Sequence, residues 1–560
     1  MKKLRWCLGF LLTILICCGA AAAVASDTVK VGLRYGSSAM FSANLENAVG
    51  SGYAFGYYDA GRSFVKVGET GQTAVSVTAA GAIYLGSSGY YETDQGQGVI
   101  GKWRAEASET YGSYEEAAAM AESWPGSYVA YVSDTYRLRL GCYETENAAI
   151  LALSSAGLDG SAVEASRTGV VVTVTKTDTV LFEFDCQGAR SFAILPDGQG
   201  RTAETWFRFY KYRGGFEYPR VTGGKLSVIN VVDREDYVKG VIPYEMSGTW
   251  PVEALAAQAV CARTYVSRAT KHSASGFDVC NTTDCQVYYG RGNSTSGPSA
   301  RSDSAVDETA GLCLYYGGKL IEAVYFSSDG GATEDAKNVW GGDLAYLKGK
   351  EDPYEALVTI PGYRYTTTYT KEQLTWVLQN SGYSIGTVER VYVSDYTAMG
   401  NVYKVTFVDS SGRTLTVRGD KCRTIFYSST LGKSVKSLRF TIDGQGQGAE
   451  LYINDSTTTI VSTEGAYAIS GKGTVTALGG ETWVLTSSGK SQIGASSGGS
   501  GGGDVTIRGS GSGASLPRSG WGRPCAGARR SSGPSGAAWM RGSRRRMATW
   551  ERTAVLPSAG

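Results

Sequence analysis

The sequence predicts a strand-rich α+β protein of several domains, and three observations carry that prediction. At 560 residues the chain exceeds what one ordinary core organises, so two to four domains are expected. Its 75 glycines and 36 tyrosines suit short strands joined by many turns better than long helices. Only one stretch, residues 251–270, repeats apolar side chains at a clear helical period. There Pro251 opens the first turn, and Val252, Leu255, Ala259, Ala262 and Val266 form one stripe facing a core.

In chain order, residues 1–25 read as a secretory signal peptide. Lys2, Lys3 and Arg5 precede an apolar run from Leu8 to Cys18, and Ala23-Val24-Ala25 has the small-x-small pattern of a cleavage site. Left uncut, the run from Trp6 to Val24 is long enough to act as a membrane anchor. Residues 26–110 form a β-rich region that opens on the alternating strand Thr28–Arg34. Residues 111–178 form a small α/β module, with helices at Tyr114–Ser123 and Glu144–Ala156, a strand at Tyr136–Gly141 and a closing β-run from Gly169 to Thr175. Strands dominate again from Thr179 to Asp233. Within them Trp206–Arg213 alternates aromatic and basic side chains, a pattern suited to stacking sugars or bases, and most simply one strand with two faces. A helix at Lys371–Asn380 sits among the strands that continue to Thr486. Ser496–Gly503 is a flexible linker by composition, and residues 504–560, with ten Arg, no Lys and two acids, predict a disordered tail.

Composition excludes several functions. A formal net charge of +2 gives no global field for nucleic acid. A single histidine, His272, leaves no convincing serine-hydrolase triad, and the glycine-rich runs lack the lysine and strand–helix setting of a phosphate loop. Of eleven cysteines, three lie in the signal segment and most of the others are scattered. Cys280 and Cys285 are the exception: their C-x4-C spacing is within the range used for zinc, and an oxidising compartment equally permits a disulfide.

The segment from Tyr237 to Gly341 holds several motifs in series. Tyr237-Val-Lys-Gly-Val-Ile-Pro-Tyr-Glu-Met246 leads through Trp250-Pro251 to Ala257-Gln-Ala-Val-Cys-Ala-Arg-Thr-Tyr265. Phe277-Asp-Val-Cys-Asn-Thr-Thr-Asp-Cys-Gln-Val-Tyr288 follows, then Tyr325-Phe-Ser-Ser-Asp-Gly-Gly-Ala-Thr-Glu334 and Val339-Trp-Gly341. Together they resemble the stage II sporulation protein D, or amidase-enhancer, family over about residues 203–490. That resemblance implies a mixed α+β catalytic domain, with the Pro251 helix presenting the motifs. It also implies a lytic transglycosylase that cleaves peptidoglycan between N-acetylmuramic acid and N-acetylglucosamine, or else a noncatalytic enhancer of a cell-wall amidase. Glycan strands and an amidase are the implied partners, and an extracytoplasmic place, secreted or anchored at the envelope, is implied with them.

By the same resemblance Glu245, in Pro-x-Glu-Met, is the catalytic acid. Its neighbours Ile242, Pro243, Tyr244 and Met246 supply an apolar setting that would raise its pKa and keep it protonated to serve a leaving oxygen. One carboxyl group suffices if the substrate's own hydroxyl is the nucleophile, giving a 1,6-anhydro sugar, whereas a hydrolase would need two. Read alone, the residue equally suits capping of the next helix or a surface ion pair. Gln258, Arg263, Gln286 and Tyr288 match recurring family positions expected to contact sugar, although Arg263 also suits simple pairing with a carboxylate; Ser328 and Glu334, which flank the tight turn at Gly330-Gly331 beside the cleft, are expected to join them. No cofactor is required for the chemistry; a structural zinc on Cys280, Cys285 and His272 is implied by relatives, although Asp284 stands where they commonly have His. The strand–Gly-x-aromatic run of Tyr136–Ala148 resembles the sporulation-related repeat, a glycan-binding module. After about residue 511 the chain departs from the family pattern, since Gly-Trp-Gly at Gly520–Gly522 is followed by Arg523, and an altered frame there would impair activity.

Overall fold

The computed structural model describes residues 27–360 and 362–443, together with short strands as far as Val505–Ser510. The signal segment, the linker Ser496–Gly503 and residues 511–560 lie outside the described residues. Among the described residues no helix is long and apolar enough to cross a membrane.

Two large sheets organise residues 27–280. The chain enters through β1 (Thr28–Arg34), β2 (Ser42–Val49), β3 (Tyr53–Tyr58), β4 (Phe64–Thr70) and β5 (Ala74–Ala79), followed by a flap of β6 (Ile83–Gly86), β7 (Gly89–Tyr91) and β8 (Val99–Ile100). Next come β9 (Trp103–Tyr111), α1 (Tyr114–Ala121), β10 (Tyr128–Val132), β11 (Thr135–Tyr143), α2 (Glu146–Ala156) and β12 (Gly160–Glu164). In this βαββαβ unit the strands lie in the order β12-β9-β11-β10, over a small core of Ala105, Ala107, Leu138, Leu140, Ala149 and Leu153. Side chains of Ser113 and Thr145 cap its two helices, and Gly157, at φ 70°, closes the second in the left-handed conformation.

The unit is no isolated bead. It continues through β13 (Val170–Val174) and β14 (Val180–Asp185) into a ten-stranded sheet that also takes in β5 and β2. A buried joint reinforces the seam: Arg104 and Arg139 reach Glu183 at 2.9 and 2.7 Å. Burial pushes the Glu183 carboxyl up, but the two guanidinium groups outweigh it and hold it at about 2.

The second sheet ties the N-terminal region to the segment that carries the motifs. After β15 (Phe192–Pro196), β16 (Glu204–Phe207), β17 (Tyr210–Tyr212), β18 (Gly215–Tyr218) and the ribbon β19 (Arg220–Val221) and β20 (Lys225–Leu226), the chain forms β21 (Val228–Asp233). β1 pairs antiparallel with β21 and parallel with β22 (Val279–Cys280). The sheet order is β22-β1-β21-β18-β15-β3-β4. A single hydrophobic core therefore runs from Val31 and Phe55 to Tyr237, Ile242 and Leu255.

Three helices close this core: α3 (Arg234–Glu245), α4 (Val252–Arg268) and α5 (Ala300–Glu308). α4 is the helix that the apolar stripe predicts, with Leu255, Ala259, Ala262 and Val266 all buried. Three expectations need correction. Trp206–Arg213 is a two-stranded hairpin at the sheet edge, because Arg208 takes φ 58° at its turn. Glu245 ends α3, whose Gly240 and Pro243 hide its helical character, so the Pro251 helix does not present it. Finally, Val505–Ser510 is not disordered tail: it is the central strand between Arg364–Tyr369 and Phe440–Asp443, with Ile507 fully buried in a second core beside Tyr369, Leu374 and Phe407.

Candidate active site

Asp233 starts α3 by accepting hydrogen bonds from the Glu235 and Asp236 N–H groups, and the helix runs twelve residues to Glu245. Gly240 is required at its middle. A Cβ there would lie 2.5 Å from the Tyr288 ring and 2.9 Å from the Gly290 carbonyl oxygen. This close approach lets the Gln286–Gly290 segment run against α3, and it places the Val287 N–H 3.2 Å from Glu245 Oε1.

A chain of polar groups surrounds the carboxyl. Tyr237 Oη donates to Gln286 Oε1 at 3.0 Å, and Gln286 Nε2 donates to Tyr325 Oη at 3.1 Å. Having accepted from Gln286, the Tyr325 hydroxyl turns its own proton to Glu245. Burial raises the Glu245 pKa, while Val287 N–H and Tyr325 O–H favour the anion and pull part of the way back; the net direction is up. Burial also pushes the Tyr325 phenol up, with the nearby carboxylate adding to it. Neither bland role is realised. Pro251, the N-cap of α4, receives no side-chain cap, and among the described residues no base lies within ion-pair distance of Glu245. The site thus holds a carboxyl group whose pKa burial raises, with two donors ready to steady its anion.

Aromatic rings border it. Tyr244 meets Tyr289 edge-on at 5.0 Å, and Tyr289 stacks on Tyr210 of β17 at 4.5 Å. Val324 and Phe326, the chain neighbours of Tyr325, line a cavity of about 260 Å³ that also exposes Ser328, Glu334, Trp340 and Tyr346.

The other expected sugar-contacting residues divide sharply. Gln286 belongs to the Glu245 network. Ser328 and Glu334 line the cavity that Val324 and Phe326 border, but their polar atoms are engaged. Ser328 Oγ donates to Glu355, and Glu334 accepts from the Asp335 N–H (2.9 Å), Asn338 (2.8 Å), Asn401 (3.0 Å) and Thr397. Arg263 and Tyr288 are enclosed by protein groups. Arg263 is fully buried, bonding Glu235 at 2.6–3.1 Å and the carbonyls of Val306 and Leu312. Tyr288 is equally buried, with its hydroxyl on Asn230 at 2.8 Å. Gln258 is buried and its Nε2 has no partner among the described residues.

Two groups emerge that residue types alone did not single out. Tyr325 stands in a quoted motif, but only its distance from Gln286 and Glu245 reveals a role. Glu355 lies outside every motif, yet it gathers Ser328 and the N–H groups of Asp329 and Gly331. Burial, with Glu355 next in weight, pushes the Asp329 carboxyl up to about 7.

A separate cluster forms where β22 meets β1. His272, Cys280, Asp284 and Cys285 bring one donor atom each to within 4.8 Å of one another. Cys280 is placed by its register opposite Gly32, and His272 stacks on Phe277 at 4.9 Å. Both thiols are free. The hydrogen bond from Cys285 favours thiolate at Cys280, and the same bond pushes Cys285 up. His272 Nε2 is buried with no hydrogen-bond partner among the described residues, 3.6 Å from the Asp284 carboxylate. Nitrogen, oxygen and two sulfurs in that space fit a tetrahedral zinc ion.

Comparison with known proteins matches residues 222–316 to the stage II sporulation protein family. An uncharacterized protein of Brachyspira hyodysenteriae is 47% identical over 125 residues, 22% of this chain and 33% of that protein. The amidase enhancer of Bacillus subtilis is 41% identical over 137 residues, 24% of this chain and 17% of the relative. The stage II sporulation protein D of the same organism is 35% identical over 148 residues, 24% of this chain and 43% of the relative. The chain thus spans less than half the length of each. The match is shorter than the motifs suggested, ending before Tyr325, and the βαββαβ unit stands outside it, so its likeness to the sporulation-related repeat rests on the sequence motif alone. Residues 222–316, with Glu245 and the cysteine cluster among them, are a stage II sporulation protein D and amidase-enhancer family domain.

Proposed function

We propose that the protein is an exported lytic transglycosylase that cuts peptidoglycan between N-acetylmuramic acid and N-acetylglucosamine during sporulation-linked wall remodelling, with Glu245 as its acid and base. The observation that carries this reading is a single carboxyl group raised by burial, met by two hydrogen-bond donors and no counter-cation.

Glu245 begins protonated and gives its proton to the glycosidic oxygen as the bond from muramic C1 to that oxygen breaks. The carboxylate left behind is steadied by the Val287 N–H and Tyr325 O–H. It then takes the proton of the muramic 6-hydroxyl as that oxygen bonds to C1. The proton balance closes without water, leaving a 1,6-anhydro end and a free hydroxyl on the other fragment. Gln286 positions Tyr325, and Tyr237 positions Gln286.

His272, Cys280, Asp284 and Cys285 are the residues that would hold zinc. A bound zinc would act structurally, fixing the loop that continues from Cys285 into Gln286 and Val287. Metal analysis of the purified chain and of Cys280→Ser tests this; stoichiometric disulfide without metal would reject it. The βαββαβ unit would serve as a glycan-binding companion.

The principal test is digestion of peptide-free glycan strands, with products read by mass spectrometry. Glu245→Gln should lower anhydro-sugar formation by about 10²–10⁴-fold, the usual worth of a positioned acid–base group. Equal product from both proteins would remove Glu245 from the mechanism. A second reading, in which the protein only stimulates a wall amidase, is supported by the 41% identity to the amidase enhancer. It predicts no anhydro sugar from either protein and undiminished amidase stimulation by Glu245→Gln.

A further inference from the structure

The Trp206–Arg213 hairpin also borders a groove that lies apart from Glu245. It occupies about 660 Å³ between the outer face of the ten-stranded sheet and the β6–β8 flap, a size typical of ligand clefts. Its floor follows from strand alternation: Ala43 and Leu45 of β2 turn into the core, so Asn44 and Glu46 turn outward. Trp206 of β16 lies directly opposite Glu46 and shares that face. Lys211, opposite Trp206 on β17, holds its ammonium 5.8 Å from the indole centroid and braces the ring. Tyr91 stands on the flap side, and Lys176 and Arg208 project from turns at φ 63° and 58°.

We propose that this groove binds an N-acetylated polysaccharide that carries carboxylate groups, that is, an uncut glycan strand of the cell wall. The flat faces of pyranose rings stack on Trp206 and Tyr91. Asn44 Oδ1 accepts from the Ser76 hydroxyl at 2.8 Å, which leaves its NH₂ for a carbonyl of the ligand, and Glu46 accepts from hydroxyl or acetamido N–H groups. Among the described ion pairs none uses Lys176 or Arg208, so two exposed cations stand at the rim for sparse carboxylates. A nucleic acid would bring its phosphate backbone past the Glu46 carboxylate, which disfavours it. The same hairpin abuts the Glu245 site through Tyr210, Tyr289 and Tyr244, so a strand gripped here is anchored on the element that borders the candidate active site. The groove goes beyond the Glu245 reading and does not depend on it.

Hydrogen exchange read by mass spectrometry tests the proposal on the full chain carrying Glu245→Gln. The probes are peptide-free glycan strands and chitohexaose, which has the acetamido groups without the carboxylates. Glycan should slow exchange over residues 42–46, 88–91 and 174–176, and Trp206→Ala should abolish that protection. The exposed double variant Lys176→Glu with Arg208→Glu leaves the core untouched. It should weaken binding of the carboxylate-bearing strand by about tenfold or more while changing chitohexaose binding by less than about twofold. Protection confined to residues 244–290 would overturn the groove and leave the Glu245 reading standing; protection only at the groove would do the reverse. Unchanged affinity of the double variant for both probes would also overturn it.

Discussion

α3 and α4 adjoin in the chain and pack on one core, yet they answer to opposite demands. α4 has a regular apolar stripe, no internal glycine or proline, and a buried arginine that works as a joint. α3 contains Gly240 and Pro243, has little amphipathic character, and ends on a carboxyl whose pKa burial raises without a counter-charge. The helix that obeys the folding rules is scaffold, and the helix that breaks them holds the chemistry. Local rule-breaking is tolerable in α3 because α4 supplies the stability.

The sharpest way to break that comparison is to cut the joint. Arg263 reaches from α4 to Glu235 in the first turn of α3 and to two carbonyls at and beyond α5, all with no exposed surface of its own. Arg263→Ala strands a carboxylate and two carbonyls and should cost about 3–5 kcal/mol in denaturant unfolding. A loss below about 1 kcal/mol, the worth of a surface pair, would deny α4 its scaffold role.

A smaller effect tests the other helix. At an ordinary helical glycine, alanine stabilises by up to about 1 kcal/mol. At Gly240 the added Cβ meets the Tyr288 ring and the Gly290 backbone, so Gly240→Ala should instead destabilise by about 1–3 kcal/mol. Because the displaced segment carries Val287, anhydro-sugar formation should fall in protein that is still folded. Stabilisation by Gly240→Ala would mean that the close approach is not needed.

This division also explains what was legible in the sequence. The stripe of α4, the helix Lys371–Asn380 and the strand Thr28–Arg34 were readable because each follows one local period. α3 was not, since its period is interrupted where it packs closest. Glu245 was legible only through a motif, and Tyr325 and Glu355 only through distance. The four-donor cluster was legible but for one donor: the C-x4-C spacing pointed to two sulfurs and the family resemblance to His272, whereas only the fold brings Asp284 within reach of them. Arg263 and Tyr288 match motif positions and are held in the fold by buried hydrogen bonds, Arg263 through the carboxylate pairing that its residue type also allows. Ile507 was misread because one buried strand among glycines carries almost no compositional signal.

The smallest effect isolates the charge on α3. Glu245 has a folded-state pKa above its unfolded value, so below the unfolded value, about 4.3, both states are protonated and the residue costs nothing. As pH rises through the raised pKa, the folded state must bury a charge that the unfolded state leaves in water, and stability is lost. Glu245→Gln removes that loss. The variant should therefore unfold at a higher urea concentration than the parent at pH 7.5, and the gap should close near pH 4. Tyr325→Phe works in the opposite sense on the same group: it deletes a donor to the anion, raises the pKa further, and should move the alkaline fall in anhydro-sugar formation to higher pH. A gap that does not change with pH, or an alkaline limb that moves down, would show that burial and the two donors do not set the protonation of this carboxyl group.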